Sequence, residues 1–272
     1  MTACDEDRLA EAYNRGLACE KAGDIAGAVA AFRAVLAMDP ADRGGAAIRL
    51  AALGHGPVPE RASEAYVATL FDQNAEAFDD MLVEQLGYHV PMLLRELLRA
   101  RGLSGVSRLL DLGCGTGLSG QALNDMAAHA TGVDLSEGML AVADDKAVYD
   151  ELYVGDAEGF LAASLEDGAE PWDLIVATDV LPYLGRIAGL LSAAAACLKP
   201  AGWLAVSTEA LAEDHPEGFA VGPLHRFAHG VGHVRACLEA AGLAVVAVEP
   251  IVVRHDRGQP IPGHLILAQR AV

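Results

Sequence analysis

The sequence predicts an α/β fold in which a Rossmann-like, doubly wound sheet follows a separate α-helical segment. A short apolar run, Val106 to Leu112, has the length of a buried strand and ends in a glycine-rich turn. A helical pattern, Leu118 to Ala128, and a second apolar run, Ala130 to Val133, come next and close on Asp134. Strand, glycine turn, helix, strand and terminal acid in this order are typical of one βαβ unit of a nucleotide-binding sheet.

The glycine turn indicates how a ligand would be held. Gly113, Gly115 and Gly117 allow positive φ and carry no Cβ, so a ligand can lie against the backbone. Free N–H groups at the start of the next helix attract negative parts of the ligand, and Asp134 can accept hydrogen bonds from both hydroxyls of a ribose. A dinucleotide-binding turn has a third glycine where Leu118 stands, which disfavours a nicotinamide-dependent dehydrogenase.

The run Asp111-Leu-Gly-Cys-Gly-Thr-Gly117 resembles motif I, D-x-G-x-G-x-G, of the class I S-adenosylmethionine (SAM) dependent methyltransferases. A structural glycine turn in another α/β protein is the alternative. The resemblance implies SAM as cofactor, S-adenosylhomocysteine (SAH) as its product, and a class I methyltransferase sheet of order 3-2-1-4-5-7-6 with an antiparallel last strand. It implies that these residues bind the cofactor: Phe71, Asp111, Gly113, Cys114, Gly115, Gly117, Asp134, Leu135, Asp156, Ala157 and Thr178.

Within this set the resemblance assigns the methionine end of SAM to the three glycines and the adenine to Asp156. Asp156 has a second interpretation, as the N-cap of a helix from Ala157 to Leu165, and the two roles are compatible. The resemblance also places Thr178, Asp179 and Tyr183, which follow a predicted strand, next to the sulfonium and the substrate.

The rest of the chain alternates apolar strands with helices. The predicted strands are Glu151–Val154, Trp172–Thr178, Trp203–Ser207, Leu243–Val248 and His264–Gln269. The further predicted helices run from Ser136 to Lys146, from Ile187 to Leu198 and from Val231 to Ala241. Between these elements, residues 208–230 are polar and irregular, and insertions at this position commonly build the acceptor pocket in the family that the sequence resembles.

Residues 1–56 are predicted to form a separate helical segment. Two helical patterns, the second from Ile25 to Met38, are joined by Gly23-Asp24, and the pair resembles one tetratricopeptide repeat. One repeat cannot bury its own apolar face, so we expect it to pack on the catalytic domain, on a second copy in a homodimer, or on another protein.

Residues 57–272 are predicted to form the methyltransferase domain, with residues 57–104 as an N-terminal helical cap or lid. The run from Phe71 to Asp79 resembles the F-D-x-x-A-x-x-F/Y-D pattern of a helix that lies over the cofactor in related methyltransferases. Phe71 and Phe78 on one face of a single helix can equally be core aromatics.

Composition limits the partners. The chain has 19 basic and 38 acidic side chains and a formal net charge of −19, which argues against nucleic acid as a substrate. The five cysteines form no C-x-x-C pair, and no apolar stretch reaches membrane-spanning length. The N-terminus lacks the pattern of a signal peptide. We therefore expect a soluble, cytoplasmic protein without a membrane partner.

Methyl transfer requires positioning and exclusion of water, and a general base only when the acceptor must lose its proton early. His225, His229 and Tyr183 are the candidate catalytic residues, although loop histidines are commonly solvated. No metal site is expected. Arg254 is expected to bind an anionic substrate group or to pair with one of the many acids.

The sequence therefore predicts a SAM-dependent methyltransferase that acts on an oxygen or nitrogen atom of a small-molecule acceptor. The alternatives are a protein methyltransferase and a non-catalytic SAM-binding subunit, either of which would dock a partner through the helical segment.

Overall fold

The computed structural model describes residues 3–213 and 215–272. Met1, Thr2 and Asp214 belong to segments interpreted above but lie outside the described residues, as do the side chains of Ala3 and Cys4. No helix in the described ranges is both long and apolar enough to cross a bilayer.

Three helices form the N-terminal segment: α1 Ala3–Ala22, α2 Ile25–Met38 and α3 Ala46–Ala52. Gly23 and Asp24 connect α1 to α2. Asp24 is the N-cap of α2, because its Oδ1 accepts a hydrogen bond of 2.9 Å from Gly27 N. Phe32 of α2 is fully buried in the core of this segment. The predicted helical hairpin is therefore present, whereas kinship with tetratricopeptide repeats stays a prediction.

The cap consists of α4 Glu64–Asp72, a 3₁₀ turn Ala75–Ala77, a π-helical turn Asp80–Gln85 and α5 Val90–Ala100. The expectation that one helix carries both phenylalanines was wrong, since α4 ends at Asp72. The rings of Phe71 and Phe78 still meet edge to face, with centroids 5.6 Å apart. The mixed turns between them bring the aromatic side chains together without a continuous helix.

Within residues 3–213 and 215–272, seven strands form one sheet, and two short strands form a separate hairpin. The strands are β1 Val106–Leu112, β2 Ala127–Asp134, β3 Glu151–Val154, β4 Trp172–Ala177, β5 Leu198–Glu209, β6 Phe219–Val221, β7 Phe227–His229, β8 Leu243–Asp256 and β9 Gln259–Arg270. The order β3-β2-β1-β4-β5-β9-β8 confirms the predicted 3-2-1-4-5-7-6, because β8 and β9 are the sixth and seventh strands of the sheet. β9 is antiparallel to both neighbours.

The remaining helices are α6 Leu118–Leu123, α7 Glu137–Asp145, α8 Ala157–Glu166, α9 Ala188–Cys197 and α10 Val231–Ala240. The prediction that the helix after the glycine turn continues to Ala128 was wrong. Met126 N donates to Leu123 O, and Met126 O accepts from Val106 N, so the chain already turns into the sheet at this point. β5, β8 and β9 are also longer than predicted.

The sheet separates two apolar cores. Leu110 of β1 and Ile175 of β4 belong to one core, whereas the adjacent residues Leu109 and Leu174 belong to the other. Side chains alternate between the two faces of a strand, so a strand covered on both faces is a continuous apolar run. This explains the sequence pattern and leaves the carboxyl ends of the parallel strands as the place where polar groups gather.

Candidate active site

The glycine turn joins the end of β1 to α6. Gly113, Gly115 and Gly117 have φ values of 64°, 53° and 91°, in the left-handed region that favours glycine. A Cβ on Gly113 would lie 2.5 Å from Val180 Cγ2, whereas a Cβ on Gly115 would meet no atom within 4 Å. Gly113 thus permits a close contact with the segment after β4, and Gly115 borders open space.

That open space is a cavity at the carboxyl ends of β1, β2 and β4, covered by the helical cap. All residues predicted to bind the cofactor line it except Asp111 and Gly117, and the predicted catalytic residue Tyr183 lines it too. The lining also includes residues that the sequence did not single out for the site: Arg61, Val67, Leu82, Tyr88, Pro91 and Ser119.

Asp134 ends β2 with its carboxylate held in one orientation. Its Oδ2 accepts a hydrogen bond from Gly115 N and its Oδ1 accepts one from Ser136 N, both at 2.9 Å. Burial raises the pKa of Asp134, and the two backbone N–H groups act in the opposite direction. Each carboxylate oxygen keeps a further lone pair with which it can accept from a ligand hydroxyl.

Asp156 caps α8, since its Oδ1 accepts from Glu158 N at 3.0 Å and from Gly159 N at 3.1 Å. Its Oδ2 makes no hydrogen bond to any described residue. The N-cap is therefore formed, and the second oxygen remains as an acceptor toward the cavity that Asp156 lines.

Asp111 lies under the glycine turn and not in the cavity wall. Tyr149 donates its hydroxyl proton to Asp111 Oδ2 at 2.5 Å, and the same hydroxyl accepts from Gly120 N of α6. Asp111 Oδ1 is buried and has no hydrogen-bond partner in the described part of the chain. Burial raises the pKa of Asp111 to about 7. Asp111 therefore holds Tyr149 against α6 from outside the cavity wall, and its direct contact with the cofactor stays a prediction.

Two aspartates attach the cap to the loops that border the cavity. Asp72 Oδ1 accepts from Ser136 Oγ at 2.5 Å and from Gly138 N at 3.0 Å. Asp79 Oδ1 accepts from Thr116 Oγ1 at 2.5 Å, and its other oxygen forms an ion pair with Lys146. The repeated Phe-Asp pair was the sequence signal for these contacts, but only the fold identifies their partners.

The predicted histidine bases do not line the cavity, as far as the described residues define its wall. His229 is completely buried with Nε2 3.2 Å from Gly185 O, and burial lowers its pKa to about 4. His225 Nε2 lies 2.9 Å from Glu20 Oε1 of α1. The ring of His229 packs in the core and the ring of His225 contacts the helical segment, so neither lies at the cavity wall, and a role as base for either stays a prediction.

A buried ion cluster, consisting of Asp179, Glu209, Arg226 and Arg254, adjoins the cavity. Arg226 donates to Glu209 Oε1 at 2.6 Å, to Asp179 Oδ1 at 2.5 Å and to the hydroxyl oxygen of Tyr183 at 2.5 Å. Arg254 donates to Glu209 Oε1 at 2.7 Å. The cluster has two positive and two negative groups, and Arg254 pairs with acids, the second of the two roles considered from the sequence.

Asp179 is also the strained residue of the site. Its φ of 62° is unusual for a residue with a side chain. Its N–H donates to Ser207 Oγ of β5 at 2.8 Å. The strain and the ion cluster together fix the carboxylate at the carboxyl end of β4, where it lines the cavity.

A family model described as a methyltransferase domain matches residues 82–248, which include the glycine turn, Asp134, Asp156 and Asp179. The chain belongs to this methyltransferase family. The ubiquinone biosynthesis O-methyltransferase of Burkholderia ambifaria is 35% identical over 103 residues, 37% of this chain and 44% of that relative. The methyltransferase domain described here therefore matches less than half the length of that curated relative.

Two solved structures share the fold of this methyltransferase. Magnesium protoporphyrin IX methyltransferase from Synechocystis PCC 6803, with SAH bound, has a TM-score of 0.50 and 17% identity, over 76% of this chain and 87% of that one. The YcgJ protein from Bacillus subtilis has a TM-score of 0.51 and 17% identity, over 68% of this chain and all of that one. The family model begins at residue 82, so it leaves the N-terminal helices unassigned.

The polar groups that line the cavity of this methyltransferase match the hydrogen-bonding groups of SAM. The open side of Gly115, the oriented carboxylate of Asp134 and Oδ2 of Asp156 provide a place for an extended ligand with hydroxyl and amino groups. Among the described residues no group of three or more His, Cys, Asp or Glu side chains is arranged to hold a metal ion.

Proposed function

We propose that this protein is a SAM-dependent methyltransferase that methylates an oxygen or nitrogen atom of a small molecule. One observation carries the proposal: the glycine turn, Asp134 and Asp156 come from three separate βα units and line a single cavity. Membership of the methyltransferase family supports it. SAM, when bound, supplies an electrophilic methyl group on its sulfonium.

The chain's own residues bind and orient. Asp134 accepts from the ribose hydroxyls, because the N–H groups of Gly115 and Ser136 hold its carboxylate in place. Asp156 accepts from the adenine amine through the oxygen that does not cap α8. Phe71 of the cap closes the cavity against Tyr183, with ring centroids 5.4 Å apart, and so excludes water.

The acceptor is proposed to react without a histidine base. Like ordinary tyrosines, Tyr183 and Tyr88 are protonated at neutral pH and can donate hydrogen bonds, and burial raises the pKa of both further. Asp179 lines the cavity, shares its partner Arg226 with Tyr183 and can accept a hydrogen bond from a hydroxyl or amine. The relative from Burkholderia ambifaria, an O-methyltransferase by name, supports a hydroxyl oxygen as the first candidate.

Calorimetric titration with SAM, SAH and NAD tests the proposal. We expect both adenosyl ligands to bind with micromolar affinity and NAD not to bind. Mass spectrometry of reactions with a panel of phenols and amines then identifies an acceptor through a mass gain of one methyl group. A folded protein that binds neither SAM nor SAH would refute the proposed function.

A further inference from the structure

The charges around the cavity restrict what an acceptor can carry. Of the side chains that line the cavity in the described part of the chain, Arg61 is the only Lys, Arg or His. Its guanidinium is ion-paired with Glu158 and lies 3.6 Å from Glu64 Oε1 and 3.8 Å from Asp156 Oδ1. Three carboxylates thus surround the one cation, and little of its charge is left for a ligand anion.

The two arginines of the ion cluster also donate their hydrogen bonds to oxygen atoms of the protein. Arg226 donates from Nε, Nη1 and Nη2 to Glu209, Tyr183 and Asp179 respectively. Arg226 and Arg254 do not belong to the cavity wall formed by residues 3–213 and 215–272; their partners Asp179 and Tyr183 do. A ligand in the cavity therefore meets the carboxylate of Asp179 in front of the two arginines.

The carboxylate of Asp179 has one oxygen to offer. Oδ1 accepts from Arg226, while Oδ2 makes no hydrogen bond within the described ranges. Apolar side chains form much of the surrounding wall, among them Phe71, Phe78, Leu82 and Pro91. A substrate bound here buries its apolar body against these side chains, and its polar end faces the free oxygen of Asp179.

From this arrangement we propose that the acceptor has an apolar body and carries no negative charge, with Asp179 as the residue that sets this preference. The inference rests on the proposed function, since it names the substrate class of the same cavity. A hydroxyl or ammonium group can donate to Asp179 Oδ2. A carboxylate would be desolvated opposite Asp179 Oδ2, which can only accept hydrogen bonds, while the guanidinium of Arg226 already donates to protein oxygens.

The experiment compares three catechols of similar shape: 4-methylcatechol, 3,4-dihydroxybenzylamine and 3,4-dihydroxybenzoate. Each is titrated into the protein saturated with SAH, with binding measured by ligand-observed NMR. We expect the neutral and cationic compounds to bind, and the carboxylate to bind at least tenfold more weakly than the neutral compound. Equal or tighter binding of the carboxylate, or binding of none of the three, overturns the inference. Failure of SAH itself to bind is a separate result that concerns the proposed function.

Asp179→Asn tests the assigned residue. It leaves the ion cluster with two arginines and one protein carboxylate. We therefore expect the ratio of the dissociation constants of 3,4-dihydroxybenzoate and 4-methylcatechol to fall at least threefold. The matched control is Asp167→Asn, which makes the same chemical change at an exposed position after α8. The SAH affinity of each variant shows that its site is intact. If this ratio is unchanged in Asp179→Asn and equal to that of the control, Asp179 does not set the preference.

Discussion

Replacing Asp134 by asparagine changes the carboxylate that is proposed to bind the ribose of the cofactor. The carboxylate uses one lone pair on each oxygen for Gly115 N and Ser136 N. Asparagine keeps one of these contacts and turns an N–H₂ group toward the other N–H donor. The variant therefore loses a charged acceptor for the ribose and gains a donor opposite a donor.

The magnitude follows from one charge-assisted hydrogen bond. Its loss costs about 1.5–3 kcal/mol of binding free energy, which is a rise in the SAH dissociation constant of about 10- to 150-fold. Calorimetry measures this rise, and thermal unfolding of the ligand-free protein establishes that the variant is folded.

A matched control isolates the effect. Asp150→Asn alters another aspartate whose Oδ2 accepts from a backbone N–H, that of Ala130 at 2.7 Å, but which does not line the cavity. We expect its SAH affinity to equal that of the unchanged protein. A folded Asp134→Asn variant whose SAH affinity is also unchanged would show that Asp134 does not bind the ribose.

Three further predictions concern the cap, the helical segment and the pH range. Asp79→Asn loses charge in the contacts with Thr116 and Lys146, so SAH should dissociate about five- to tenfold faster in stopped-flow measurements, an effect of ~1 kcal/mol. Phe32→Ala empties a fully buried site and should lower the free energy of unfolding by about 3–5 kcal/mol in urea titrations. His229 has a folded pKa of about 4, below its unfolded value. The protein should therefore lose about 2–3 kcal/mol of stability as pH falls from 7 to 4.5.

Each of these has its own contrary result. An unaltered SAH dissociation rate in Asp79→Asn would show that the cap does not limit release of the ligand. A small stability change in Phe32→Ala would mean that the helical segment unfolds independently of the transition observed. For the histidine, a His229→Gln variant with the same pH dependence as the unchanged protein would assign that dependence to other groups.

The sheet could be predicted because its signals are local. Each buried strand is a short apolar run, and the glycine turn fixes where the first one ends. The hairpin of β6 and β7 was missed because its strands have three residues each, too short to show a period. This hairpin carries Arg226 next to β7, so the ion cluster could not be predicted either. Arg226 and Glu209 are 17 residues apart, and only the fold brings them together.

The helical segment is attached to the cavity at several points, and this changes what its removal would test. Ile48 of α3 packs in one cluster with Phe227 of β7 and Tyr183 of the cavity wall. Ser63 Oγ donates to Ala41 O at 2.6 Å. Ala62 N, one residue earlier, donates to Tyr183 O. Deleting residues 1–56 would expose Phe227 and release the chain that crosses the cavity. Loss of activity in such a truncation therefore follows from the intramolecular packing alone and is no sign of a lost protein partner.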